Sequence, residues 1–337
     1  MMKQTEINLK KSRNEPASKA ISEILKEFPD APTRMLAGML MKRHPKLFTD
    51  YDCARSSLRY RRGAHGKYNR RARLLEAPIT PRIELPASDE RVFGPFVMDG
   101  CKRVLVLSDI HIPYHTKSVI EIAVAEGKRR NVDGILLNGD VLDFHQMSDF
   151  IRDPEARNFK EERRLGTQFL GYLRQEFPKA RIVFKEGNHD ERVKRFVLQK
   201  APELYDETIL GLPALLHFDR YGVEHVGDKR TVMLGGLTTL HGHEFAKGIT
   251  APAAPARTAY LKAGVSVLIG HHHTTNEYTK TILGGKIITC WSTGCLSDLH
   301  PHYSPYAGYN YGFANVDLDL MDFHVTNHRV HRGMLLN

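Results

Sequence analysis

Lys185-Glu186-Gly187-Asn188-His189-Asp190 closes the apolar run Arg181-Ile182-Val183-Phe184 and opens the helix-patterned stretch Glu191-Arg192-Val193-Lys194-Arg195-Phe196. A strand that ends this way sets an amide, an imidazole and a carboxylate at the mouth of a sheet, where open α/β sheets bind ligands. Taken alone, the tetrad is an ordinary strand-to-helix turn. Its weight depends on what stands at the other strand ends.

Outward from this point, short apolar runs alternate with longer amphipathic ones. Segments 103–107, 134–137 and 181–184 read as buried strands, and 118–129, 157–177 and a stretch from Glu191 as helices. That βαβα order predicts a sheet covered by helices. Further strands are expected over 231–234, 237–240 and 265–269, with a helix over 256–263. Segments 277–283 and 286–291 flank Gly284-Gly285, a hairpin signal, and 313–318 and 322–330 alternate as strands do.

The strand ends share one chemistry. In order they carry Ser108-Asp109-Ile110-His111, Asn138-Gly139-Asp140-Val141-Leu142-Asp143, Gly187-Asn188-His189-Asp190, His241-Gly242-His243 and Gly270-His271-His272-His273. Each alone has a plain reading as a turn or a surface pair, but five in succession do not. The ordered set resembles the calcineurin-like metallophosphoesterases: Asp-x-His, Gly-Asp-x-x-Asp, Gly-Asn-His-Asp, His, Gly-His-x-His. The layout, including Trp291-Ser292-Thr293-Gly294-Cys295-Leu296, also looks like phage and prophage members.

The resemblance implies an α/β fold, the four-layer α/β/β/α sandwich of that family. It also implies two divalent cations. Asp109, His111, Asp140 and His273 would hold one, and Asp140, Asn188, His241 and His271 the other, with Asp140 bridging. Mixed oxygen and imidazole donors suit Mn²⁺ first, with Fe or Zn²⁺ as alternatives, over the all-oxygen preference of Mg²⁺ and Ca²⁺. By the same resemblance, a hydroxide between two cations ~3.5–4 Å apart attacks phosphorus in line. His189 then protonates the leaving group and Asp190 orients its ring. Asp143 acts from behind, on a ligand or on the general acid. Arg192 is the candidate phosphate clamp. Arg257 is a second, weaker clamp candidate. His243, His272, His145 and His115 read as neighbours of the site, with packing or solvation the plainer account. Residues 291–295, His300, His302 and Tyr303 are candidates for a substrate wall. Phe144-His145 stands where serine/threonine protein phosphatases carry Arg-Gly, which argues against that branch.

Charge separates the N-terminal fifth. Residues 1–75 hold 18 Lys and Arg against 7 Asp and Glu, while the remaining 31 basic and 32 acidic residues nearly cancel. Segments 19–28, 34–44 and a third through Ala54, Leu58 and Tyr60 read as helices, the last capped by Asp50 or Asp52. Together they predict a small all-helical, helix-turn-helix-like domain over 1–75. Arg55, Arg59, Arg61 and Arg62 on the third helix are its nucleic-acid contacts, with a basic arm over 63–73. Proline-punctuated residues 76–100 read as a linker, and 101–337 as the catalytic domain.

The chain has no apolar run of the ~20 residues a membrane span needs, no leader-like N-terminus and no Cys-x-x-Cys among its four cysteines. A cytoplasmic protein with reduced thiols is expected. The leading functional expectation is a phosphodiesterase or nuclease with nucleic acid, DNA before RNA, as partner and substrate. A phosphomonoesterase is the alternative, and a non-catalytic DNA-binding module the second.

Overall fold

The computed structural model describes residues 15–63, 84–90, 93–149, 158–245, 253–301, 305–319 and 322–336. The expected basic arm beyond Gly63, the linker over 76–83, His302 and Tyr303 lie outside these residues. The chain forms two compact units, Met1–Glu90 and Arg91–Asn337.

In the first unit, α1 (Glu15–Glu27), α2 (Thr33–Arg43) and α3 (Tyr51–Arg61) enclose a core of Ala20, Ile21, Ile24, Leu36, Leu40, Ala54 and Leu58. These residues recur at helical spacing, which gives each helix one apolar stripe to bury. Asp50 caps α3: its carboxylate accepts the Cys53 N–H at 2.7 Å. Residues 44–50 join α2 to α3, a longer connection than the three- or four-residue turn of a helix-turn-helix.

The arginines of α3 divide into two kinds. Arg62 donates to the carbonyls of Pro29 and Ala31 and to Thr33 Oγ1, tying the end of α3 to the α1–α2 turn. Arg61 donates to Ser22 Oγ on α1. Arg59 is exposed, and Arg55, one turn earlier, lies 3.4 Å from Asp52. Two of the four arginines expected to meet nucleic acid are therefore engaged in holding the unit together.

The second unit contains two sheets. The seven-stranded sheet runs β13 (Met334–Leu336), β12 (Phe323–His331), β11 (Tyr311–Leu318), β2 (Arg103–Leu107), β3 (Gly134–Asn138), β4 (Arg181–Lys185) and β5 (Val223–Val226). The six-stranded sheet runs β1 (Phe96–Val97), β6 (Val232–Leu234), β7 (Leu237–Thr239), β8 (Val267–Ile269), β10 (Ile287–Ser292) and β9 (Asn276–Thr281). Strands β2 to β5 are parallel neighbours. Between them run the helices α4 (Lys117–Arg129), α5 (Phe159–Glu176) and α6 (Arg192–Lys200), with three one-turn helices between Glu207 and Tyr221.

Side-chain alternation along the strands builds the layers. Leu105, Leu107, Ile135, Leu137, Ile182 and Phe184 face outward onto α4 and α5, among Ile120, Val124, Phe169 and Leu173. The intervening Val104, Val106, Leu136 and Val183 meet Val232, Leu234, Leu268 and Trp291 of the other sheet. On that sheet's far face, α7 (Pro255–Ala263) packs Ala256 and Ala259 against Val267, Ile269 and Cys290. The result is the four-layer α/β/β/α sandwich. Among the described residues, no helix is long and apolar enough to cross a membrane.

Three strands depart from the sequence expectation: β1, β5 and β13, the last pairing Met334–Leu336 with Arg329–His331. Phe96–Val97, within the stretch read as linker, pairs with Val232–Met233, and Arg230 secures it through the carbonyls of Gly94 and Pro95. β5 carries only Val223 and Val226 as apolar residues, too few to stand out as a strand; pairing with β4 supplies the rest.

The Arg62 bonds predict a specific asymmetry. Arg62→Ala should destabilise the helical unit by about 1–3 kcal/mol, through the loss of charged-donor hydrogen bonds. Arg59→Ala should stay within about 0.5 kcal/mol of the parent. Chemical denaturation of the full chain, followed by helical circular dichroism, distinguishes the two.

Candidate metal centre

The site lies where β2, β3, β4, β7 and β8 end. Crossed backbone bonds hold the first two ends together: Asp109 N–H donates to the Gly139 carbonyl, and both Ile110 and His111 donate to that of Asp140. At these ends the chain turns through the left-handed region at Asp109, His111, Asp140, His271 and His273, none of them glycine. Glycine is required where chains touch. A Cβ on Gly187 would sit 2.3 Å from Asp140 Oδ1, and one on Gly139 2.4 Å from His241 Nδ1.

These turns gather the predicted donors. Asp109, His111 and His273 present ligand atoms within 4.8 Å of one another, and so do Asp140, His241 and His271. His111 Nε2 and His273 Nε2 face each other at 3.1 Å, and His273 Nε2 lies 3.3 Å from Asp109 Oδ1. His241 Nε2 approaches Asp140 Oδ2 to 3.1 Å, and His111 Nε2 approaches the same oxygen to 3.8 Å. Asp140 therefore stands between the groups.

The donor set fits divalent cations on three grounds. His241 Nδ1 faces the Asn138 carbonyl at 2.9 Å and so serves as the donor there, which makes Nε2 the nitrogen turned inward and the one a cation would take in place of its proton. His241 Nε2 and Asn188 Oδ1 are buried polar atoms with no hydrogen-bond partner. The local charge also calls for cations. Burial opposes ionisation of Asp109 and Asp140, yet His273 and His241 hold the first well below the carboxylate range, and His241 and His189 the second. Against their own burial, those carboxylates raise His241 to about 10 and lift His273 well above the imidazole range.

Behind the donors, one carboxylate oxygen serves two rings. Asp143 Oδ1 lies 3.1 Å from His111 Nδ1 and 2.9 Å from His189 Nδ1. The two rings meet edge to face at 4.4 Å. Asp190, expected to orient His189, instead accepts backbone N–H groups from Val141, Leu142 and Gly187. It ties the Gly-Asn-His turn to the Gly-Asp turn, and the expectation is corrected: Asp143 is the residue that meets the His189 ring. Arg192 is buried. Its Nη1 donates to the Asp143 carbonyl at 2.6 Å, and its Nη2 lies 3.2 Å from His189 Nε2.

The remaining imidazoles separate from the centre. His243 faces Glu191 at 3.3 Å, His145 lies 3.9 Å from Asp143 Oδ2, and the main chain of His115 bridges to Ser297. His272 stacks edge-on against His271 at 5.2 Å. Arg257 is exposed on α7, and Trp291 packs between the sheets. Three features had no sequence signal. Tyr309 lies ring to ring with His273 at 4.5 Å. Glu162, wholly buried on α5, is pushed up to about 8 by burial and the Asp143 charge. Lys185, wholly buried at the end of β4, forms an ion pair with Glu244. Burial works against that carboxylate, yet Lys185 and the flanking His243 and His241 bring it down to about 2.

Comparison with known proteins identifies the family. The profile of the family described as calcineurin-like phosphoesterase matches residues 102–323. The gene 54 protein of Mycobacterium phage L5 is 28% identical over 198 residues, 57% of this chain and 77% of the phage protein. That of phage D29 is 29% identical over the same shares. Among solved structures, Vacuolar Protein Sorting 29 from Cryptosporidium parvum aligns at 16% identity and a TM-score of 0.38, over 70% of this chain and 95% of its own. Yfce, a phosphoesterase from E. coli, aligns at 16% and 0.33, over 64% and 89%. The ordered motifs and a family match over most of the chain place this protein in the calcineurin-like phosphoesterase family, as a metal-dependent phosphoester hydrolase.

Proposed function

We propose that this chain hydrolyses phosphodiester bonds in nucleic acid, DNA before RNA, with a two-cation centre. The observation that carries the centre is the convergence of two donor groups on Asp140. Asp109, His111 and His273 would hold one cation with Asp140, and Asn188, His241 and His271 the other. Manganese is the first choice, with Fe or Zn²⁺ as alternatives. When bound, such a pair supplies Lewis acidity toward water and neutralises phosphate oxygens.

The chain's own residues supply the proton and the orientation. In this reading His189 donates from Nδ1 to Asp143, which fixes the ring and leaves Nε2 for the leaving-group oxygen. Arg192 already lies at that nitrogen. A phosphate oxygen that accepts from the guanidinium would draw it off Nε2 and free that lone pair to take a proton from solvent, which His189 then passes to the leaving-group oxygen. Arg192 then senses substrate and releases His189, a fuller role than the simple clamp read from the sequence. Asp190 keeps the Gly187 turn seated against Asp140.

The basic excess of residues 1–75 supports nucleic acid as the substrate. On the first unit, Arg55 and Arg59 would make the phosphate or base-edge contacts. Arg61 and Arg62 hold α3 in position for them.

Hydrolysis of bis-p-nitrophenyl phosphate, p-nitrophenyl phosphate and labelled single- and double-stranded DNA and RNA, with Mn²⁺ and with chelator, tests the reading. Diesters and DNA should be cleaved only with metal; activity confined to monoesters would overturn the nuclease assignment. His189→Asn should lower turnover of DNA by about 10²–10⁴-fold. The same variant should spare p-nitrophenyl esters, whose leaving group departs without a proton; equal losses on both would remove the general-acid role. Deletion of residues 1–75 should weaken DNA binding and flatten its salt dependence while small-ester turnover persists. An unchanged salt slope would exclude the recruiting role.

A further inference from the structure

Two cross-links join the Gly-Asn-His-Asp strand end to the His-Gly-His loop, and the family motifs use neither. The first is the ion pair of Lys185 Nζ with Glu244 Oε1. Both side chains are out of solvent, at 1% and 9% exposure. The same Glu244 carboxylate accepts the N–H of His241 at 3.1 Å and of Gly242 at 2.6 Å. The second cross-link is Glu191 Oε1 with His243 Nε2 at 3.3 Å.

The placement is regular. Lys185 and Glu191 stand three residues before and three after Asn188, and their partners Glu244 and His243 follow His241 closely. Asn188 Oδ1 is buried with no hydrogen-bond partner, and His241 Nε2 is buried with only the Asp140 carboxylate beside it, at 3.1 Å; both belong to the same proposed cation position. The opposite position draws on Asp109, His111 and His273, whose side chains bond Ser108, Asp143, one another and the His271 N–H; among the described residues, none of the four linking residues hydrogen-bonds them.

Stability does not account for so buried a pair. Withdrawing two charges from water costs about what their attraction returns, and apolar replacements of such pairs are often neutral. What a buried ion pair with two further backbone bonds does provide is one fixed geometry. We infer that the Lys185–Glu244 pair, seconded by Glu191–His243, is the positioning device for one of the two cation sites, fixing Asn188 and His241 relative to each other. This rests on the two-cation reading above. The residues act through the donors and do not touch the ion.

The test uses the full-length protein, stripped of metal and titrated with Mn²⁺ by calorimetry, with bound metal counted after dialysis. The unmodified protein should take up two equivalents. Lys185→Met/Glu244→Gln, which removes both charges together, should fold with a parental metal-free melting curve. It should keep one equivalent at parental affinity and bind the other about 10–100-fold more weakly. Glu191→Gln should weaken the same equivalent to a lesser degree, and it decides the matter if the double variant does not fold. Arg130→Met, which disrupts the Glu126 and Asp317 ion pairs, should leave both equivalents unchanged. Two unaltered equivalents in the Lys185/Glu244 variant, or an equal loss in both, would overturn the inference. A single equivalent in the unmodified protein would overturn the two-cation reading itself, and this inference with it.

Discussion

Two ionised carboxylates, Asp109 and Asp140, lie out of water at the ends of neighbouring parallel strands, and the rest of the site answers to that charge. Buried negative charge persists only with positive or hydrogen-bonding partners close by. Here the partners come from every direction. Ser108 and the His271 N–H bond Asp109, the His189 N–H bonds Asp140, and five imidazoles turn their ring nitrogens inward. The sandwich supplies the rigid frame. Alternate side chains of β2, β3 and β4 lock into two different cores, so no strand can slip in register without turning one core inside out.

That frame also holds backbone conformations the isolated turns would not choose. Left-handed geometry costs an L-residue about 1–2 kcal/mol, and five candidate ligands adopt it. The crossed bonds between the Asp109 and Asp140 turns, and the seating of Asp190 under both Val141 and Gly187, over-determine these positions. Asp143 extends the coupling one step further. Because a single oxygen meets both His111 and His189, the orientation of a prospective ligand and of a prospective proton donor is one mechanical quantity.

The sequence revealed what depends on residue type and order. Asp109, Asp140, Asn188 and His241 stood out as candidates because strand-patterned segments precede them, apolar before the first two and Leu237-Thr238-Thr239-Leu240 before the last, and because the turns repeat one chemistry. Orientation was not legible. Asp190 follows His189 directly, and nothing local shows that its carboxylate turns back toward Gly187 while Asp143, forty-six positions earlier, reaches the ring. Arg61 and Arg62 read as solvent-facing cations because charge is visible in a sequence, whereas the carbonyls of Pro29 and Ala31 that capture Arg62 are not. β1 was hidden for a similar reason: two residues after a proline carry no periodicity, and only pairing with β6 makes them a strand.

The left-handed turns also shape how this centre can change over evolutionary time. Asparagine and aspartate are the non-glycine residues that visit this region most readily, so Asp109 and Asp140 each have one uncharged neighbour that keeps the turn. Exchange to asparagine removes a charge yet preserves shape, volume and most of the local hydrogen-bonding capacity. Alanine or a branched residue at the same place would disturb backbone and charge together. On the proposed two-cation reading, loss of hydrolysis and loss of the fold are therefore separable events in this architecture. A folded, surface-intact descendant without chemistry lies a single conservative exchange away.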